Sequence, residues 1–220
     1  MSSNAPQNTT TASQDAGLST ATNGVRSASW RCARVALFAA LLCVAAAAGR
    51  ITIPGTPVGI TLQTFVLMLA ALTMSPAEAG SSALLYLLIG ALGAPVFSNG
   101  ASTAALVGPS AGFLYGFVPA AIITSAFKST PRTPAPLTIP RDLIACIAGC
   151  ILVPFVVGVG MQSAITGADL RTLVIASSAF FVGDAIKACV ATGAIASARL
   201  AREAVRHTSA DAVRQSADAE

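Results

Sequence analysis

The sequence predicts an all-α fold: an integral membrane bundle of six transmembrane helices, with the N- and C-termini both cytoplasmic. Composition is the first reason. Hydrophobic residues make up 54% of the 220-residue chain and charged residues 10%, with a mean hydropathy of +0.73, whereas a soluble domain carries about 25% charged residues. The second reason is that the apolar residues gather into six runs between polar or Pro/Gly-rich connectors, with none of the roughly ten-residue alternating segments of a membrane β-barrel. The third is the placement of basic residues. With the N-terminus inside, six spans put Arg26, Arg31, Arg34, Lys128, Arg132, Arg141, Arg199, Arg202, Arg206 and Arg214 on the cytoplasmic side and leave only Arg50 and Arg171 outside, as the positive-inside rule expects. The net charge of +4 therefore belongs to inner loops, and no basic run with interleaved aromatics marks a nucleic-acid surface.

Three regions follow from this reading. Residues 1–30 form a disordered polar N-terminal tail, rich in Ser, Thr, Ala, Asn and Gln and without the basic start and short apolar core of a cleaved signal peptide. Residues 31–200 form the membrane domain, and residues 201–220 a polar cytoplasmic C-terminal tail.

The first helix spans Val35 to Gly49. Ala36 and Ala40 make a small-xxx-small pair on it, the kind of ridge that lets another helix approach closely; in so alanine-rich a chain, chance placement is the competing explanation. The segment Ile51 to Gln63 holds two prolines and two glycines and cannot be a regular helix. It is too apolar for a plain solvent loop, so it is either a lid over the protein or a structured linker. A second helix runs from Thr61 to Met74, a third from Gly80 to Val96 and a fourth from Gly112 to Phe127. The loop 97–111 between the third and fourth is uncharged and carries Asn99, whose amide can both donate and accept. A fifth helix covers Asp142 to Gly160 with a kink at Pro154, and a sixth Leu173 to Ala198. The second to fourth runs hold only about 16 apolar residues, short of the roughly 20 of a simple span, so tilt or ordered loops must complete them.

The sixth helix carries the sharpest chemical signal. Asp184 and Lys187, three residues apart, project from nearly one face of an otherwise apolar stretch. A charge at bilayer depth costs about 2.5–3.5 kcal/mol on insertion scales and turns to a partner or a cavity. In the six-span topology the pair lies about three turns from the outer face, where the 51–60, 97–111 and 161–172 segments also emerge. Two readings stand: an outward pocket floored by an acid and a base, or a salt bridge that only holds helices together. Cys32, Cys43, Cys146, Cys150 and Cys189 lie in or beside apolar runs, and the only His is His207 in the tail. No metal-ligand set is apparent, and the cysteines are expected as small buried hydrophobes. With no nucleophile–base–orienter set either, no catalytic residue is assigned and no cofactor is expected.

Four runs, Pro57-Val-Gly-Ile-Thr-Leu-Gln-Thr64, Leu85-Tyr-Leu-Leu-Ile-Gly-Ala-Leu-Gly-Ala-Pro-Val-Phe97, Gly108-Pro-Ser-Ala-Gly-Phe-Leu-Tyr-Gly116 and Gly183-Asp-Ala-Ile-Lys187, together resemble the BioY family, the biotin-binding S components of energy-coupling factor (ECF) transporters. The likeness covers residues 31–200, with Gly59 and Ala111 as departures from the family's usual proline and glycine. The resemblance implies a multi-pass protein of the bacterial inner membrane that captures biotin, is not itself an enzyme, and works with a transmembrane scaffold (T component) and two cytoplasmic ATPases. No G-x-x-x-x-G-K-[ST] motif occurs in this chain. On that reading Asp184 and Asn99 meet the ureido group and Lys187 the carboxylate, with Asp184 merely neutralising Lys187 as the alternative. Tyr86 and Gln63 are further substrate-binding candidates, each with ordinary packing or capping as its competitor, and Ala36 with Ala40 becomes the surface offered to the scaffold. An S component for another vitamin, a small membrane protein with a structural ion pair, and an intramembrane acid–base enzyme are the other functions weighed.

Overall fold

The structure is a computed structural model that describes residues 9–52 and 59–217. The central part of the expected lid, 53–58, lies outside the described residues. Helices dominate, as expected, with one short hairpin added: α1 (Thr9–Ala47), β1 (Arg50–Thr52), β2 (Gly59–Thr61), α2 (Gln63–Thr73), α3 (Pro76–Ala91), α4 (Ala111–Phe127), α5 (Ala135–Cys146), α6 (Val153–Thr166), α7 (Leu170–Ser177) and α8 (Ala179–Ala217). Among the described residues, three helical segments, Ala28–Ala47, Ala135–Thr166 and Leu170–Arg206, are long and apolar enough to cross a membrane, and Gln63–Thr73 and Ala111–Phe127 are shorter apolar helices.

Local chemistry explains where these elements begin and end. Ser75-Pro76-Ala77-Glu78 opens α3 rather than merely closing α2. Glu78 N–H donates to Ser75 Oγ at 3.4 Å and Ser75 N–H to Glu78 Oε2 at 3.2 Å, with Pro76 in the first turn, a reciprocal capping box. The fifth helix is longer than expected. α5 and α6 are joined through a π-helical stretch, Ile147–Leu152, just before Pro154. The ring of Pro154 would collide with the carbonyl four residues back, and the wider π-turn makes room for it. α6 then continues to a left-handed Gly167, so most of the expected 161–172 loop is helix. Asp169 caps α7 by accepting from the Thr172 N–H at 3.0 Å.

Both ends of the chain also differ from expectation. The supposed disordered tail is helical from Thr9 onward, and α8 runs unbroken to Ala217. In α8 the Ala, Arg and Glu residues after the apolar span propagate a helix readily; the Ser-, Thr- and Gly-rich start of α1 has no such propensity and is helical only as a continuation of the apolar span that follows it.

α4 is the centre of the bundle, packing on α2, α3, α5 and α6. Close approach requires residues without side chains at the contact. A Cβ on Gly116 would lie 2.8 Å from Pro154 Cα, and one on Gly149 2.7 Å from the Thr124 backbone nitrogen, so α4 and the π-turn meet almost backbone to backbone. Around them Leu42, Leu67, Met68, Met74, Tyr86 and Phe97 form the dry core.

The two ends of the bundle differ in chemistry. At one end stand the β1–β2 hairpin, the 3₁₀ turns Ser98–Gly100 and Thr103–Leu106, and the start of α8. The other end is ionic. Glu78 pairs with Arg31 at 3.5 Å and Arg34 at 3.6 Å, and the buried Asp142 pairs with Arg199 at 2.9 Å. Arg34 donates to Thr73 O at 2.7 Å, and Lys128 Nζ to Ala71 O at 3.0 Å and to Met74 O. Two cations thus cap the carbonyl end of α2, where the helix dipole favours them. Burial pushes the Lys128 ammonium down to about 8, against the pull of Asp142.

Candidate functional site

A cavity of about 410 Å³ opens at the hairpin end, within the roughly 300–1,000 Å³ of small-molecule sites. Its body is aromatic and apolar: Phe97, Phe113, Phe117, Phe155, Phe180 and Phe181, with Leu114, Ile151 and Pro154. Edge-to-face contacts lock several of these rings, Phe113 on Phe180 at 5.9 Å and Phe155 on Phe181 at 4.7 Å between centroids. The π-turn contributes directly, because Ile151 lies within it and Pro154 directly after it, and both line the cavity.

The polar part of the wall comes from Thr61, Gln63, Thr64, Ser98, Asn99, Ser110 and Asp184. Gln63 is almost fully buried, at 2% exposure. Its amide nitrogen donates to the Tyr86 hydroxyl, and its carbonyl accepts from Ser98 Oγ at 3.0 Å. Tyr86, itself wholly buried, stacks edge-on against Phe97 at 5.2 Å. Asn99 takes a left-handed backbone conformation, φ 62°, which a short polar side chain tolerates better than most. The turn that demands it is closed by Phe97 N–H donating to Ala101 O at 2.9 Å.

Asp184 reaches the wall from the second turn of α8. Its Oδ1 accepts from Thr64 Oγ1 at 2.7 Å and from Lys187 Nζ at 2.8 Å. Lys187 also donates to Thr64 Oγ1 at 3.0 Å and to Thr61 O at 2.5 Å. The acid and base therefore clasp each other, and they do so beside open space, since Asp184, Thr61 and Thr64 all line the cavity. Through Thr61, Lys187 ties α8 to the end of β2, the strand leading out of the hairpin.

Of the residues singled out in the sequence, Asp184, Gln63 and Asn99 line one cavity, whereas Lys187 and Tyr86 stand behind its wall, each bonded to a lining residue. Ala36 and Ala40 are far from it in role: both are exposed on α1, while Ala39 between them is buried at 1% exposure in the core. Cys146 and Cys150 are buried, and Cys43 is partly so; Cys32 and Cys189 are exposed. Sequence reasoning missed the aromatic body, Ser98 and Thr64. Six of the nine phenylalanines in the chain line this one space, but nothing in the apolar runs that carry them separates a cavity-facing ring from a lipid-facing one.

With that geometry in place, comparison with known proteins is decisive. The BioY family model matches residues 14–204. The chain belongs to the BioY family. Among BioY relatives, the probable biotin transporter BioY of Bacillus subtilis is 34% identical over 157 residues, 71% of this chain and 83% of the relative. The biotin transporter BioY of Rhizobium etli is 31% identical over 161 residues, 71% of this chain and 86% of the relative. The fold is shared with a crystal structure of the S-component for biotin from an ECF-type ABC transporter, at a TM-score of 0.71 and 22% identity, covering 79% of this chain and 93% of that one.

Proposed function

We propose that this protein is the biotin-binding membrane subunit, the S component, of an ECF-type importer, and that it takes biotin from the outer face of a bacterial inner membrane. The observation that carries the proposal is one cavity divided into an aromatic body and a hydrogen-bonding wall that includes a carboxylate, on a chain of the BioY family. Biotin divides in the same way. Its thiophane ring and valerate methylenes are apolar, its ureido group presents two N–H donors and one acceptor, and its far end is an anion. Asp184 accepts from the ureido N–H, Asn99 and Gln63 complete the polar recognition, and the six phenylalanines cover the apolar parts. Tyr86 acts from behind, by holding the Gln63 amide. The carboxylate goes to Lys187, where it takes the place of the Thr61 carbonyl at the ammonium.

On this reading α1, α2, α3, α4, α5–α6 and α7–α8 serve as six membrane-crossing units, with both termini cytoplasmic. This orientation is supported by the cluster Arg31, Arg34, Lys128 and Arg199 at the end opposite the cavity. The subunit performs no chemistry of its own; a transmembrane scaffold and two cytoplasmic ATPases supply the energy, with Ala36 and Ala40 on the docking face. Equilibrium binding to the purified protein without ATP tests the proposal, using biotin, desthiobiotin, thiamine and riboflavin. Biotin should bind one-to-one and be recovered unchanged. Preference for thiamine or riboflavin, or chemical conversion of the ligand, would overturn it.

A further inference from the structure

A carboxylate at the end of a flexible side chain can turn either oxygen toward a ligand, so Asp184 alone does not define an acceptor in space. Its surroundings do. Lys187 carries an ammonium, which can only donate, and it donates to Thr64 Oγ1 at 3.0 Å. That leaves the Thr64 hydroxyl a single proton, and this proton goes to Asp184 Oδ1 at 2.7 Å. Oδ1 also accepts from Lys187 itself at 2.8 Å. Both bonds that Asp184 accepts from described residues thus fall on one oxygen, and its other oxygen is the one left for a donor in the cavity. Thr64 sits at the second position of α2, an element independent of α8, so it holds the carboxylate from outside its own helix.

We propose that Thr64 is a positioning residue that fixes the Asp184 carboxylate through Oδ1, and so makes the cavity selective for a ligand with N–H donors. The inference rests on the biotin reading above. It explains why a neutral hydroxyl is placed between an acid and a base that already touch: without it the carboxylate is held only by Lys187, on the same helix and equally free to shift.

The test uses the full chain in lipid nanodiscs, with two ligands, biotin and biotin methylated on both ureido nitrogens. Thr64→Val removes the hydroxyl at nearly constant shape and should weaken biotin by about tenfold or more, a hydrogen bond to a charged group being at stake. Thr64→Ser keeps the hydroxyl and should restore binding to within about threefold of the wild type. The dimethylated ligand, which has no N–H to offer, should lose less than about threefold on Thr64→Val, and the same small loss is expected for biotin when Thr64→Val is added to Asp184→Asn. Equal losses for both ligands, or no rescue by serine, would assign Thr64 to packing and overturn the inference. Wild-type affinity in Thr64→Val would overturn it while leaving the biotin reading intact, and absence of biotin binding by the wild type would overturn both. Thr64→Ala carries the same comparison if the valine variant does not fold.

Discussion

Gly90 on α3 offers the sharpest test of how the aromatic body of the cavity is held. A Cβ added there would lie 2.1, 2.3 and 2.8 Å from three carbons of the Phe97 ring. The ring must therefore retreat by the 1.3 Å that separates 2.1 Å from an ordinary contact of 3.4 Å. Its neighbours decide the direction. Tyr86, fully buried, meets it edge-on at 5.2 Å, and the open space lies on the cavity side. In the empty protein the ring of Gly90→Ala swings into the cavity at little cost. With ligand bound that escape is closed, and the overpacking strain of about 1–3 kcal/mol is felt in full.

The expected result is a folded protein whose thermal midpoint without biotin stays close to that of the wild type, but whose Kd for biotin rises by about 5- to 150-fold, the binding equivalent of that strain. Thermal unfolding and equilibrium binding in detergent measure both. Gly160→Ala is the control, since a Cβ there meets nothing within 4 Å, and helical Gly→Ala is neutral or stabilising by about 0.5–1 kcal/mol. Wild-type affinity in Gly90→Ala would refute the reasoning, because it would mean that Phe97 can yield without entering the ligand's space.

Three further outcomes follow from the same geometry. Lys187→Ala should cost biotin about 30-fold more affinity than biotin methyl ester; equal losses would make the lysine a purely structural partner of Asp184. Replacing Ala36 and Ala40 by Leu, both exposed on α1, should spare binding by the isolated protein and impair assembly and uptake, whereas lost binding in isolation would show that the pair supports folding. Lys128 gives a pH signature. Its ammonium is held at about 8, below the usual 10.5, chiefly by burial, so between those values the unfolded chain carries the extra proton and stability rises with pH. The thermal midpoint of the wild type relative to Lys128→Met should climb from about pH 8 to about pH 10, and a flat difference would show that the group is not desolvated.

What the sequence discloses, and what it withholds, follows from contrast. Asp184 and Lys187 stand out because a charge in an apolar run is costly, and the hairpin end is marked by its prolines and glycines. The phenylalanines of the cavity carry no such contrast: an aromatic ring facing a ligand and one facing lipid look alike within an apolar helix. The limits of α1 and α8 are hidden for the opposite reason, since polar composition alone does not end a helix that an adjoining apolar span has already nucleated. Pro154 announced a disturbance but not its form, and only packing against Gly116 shows that a π-turn, rather than a broken helix, is the solution. Thr64 is the hardest case. Its hydroxyl matters because of a carboxylate 120 positions away, and nothing local separates it from any other threonine near a helix start. Recognition in such a bundle depends less on the residues that look unusual in sequence than on ordinary residues which the fold sets against them. The Asp184 carboxylate becomes a directed acceptor only when α2 is docked on α8.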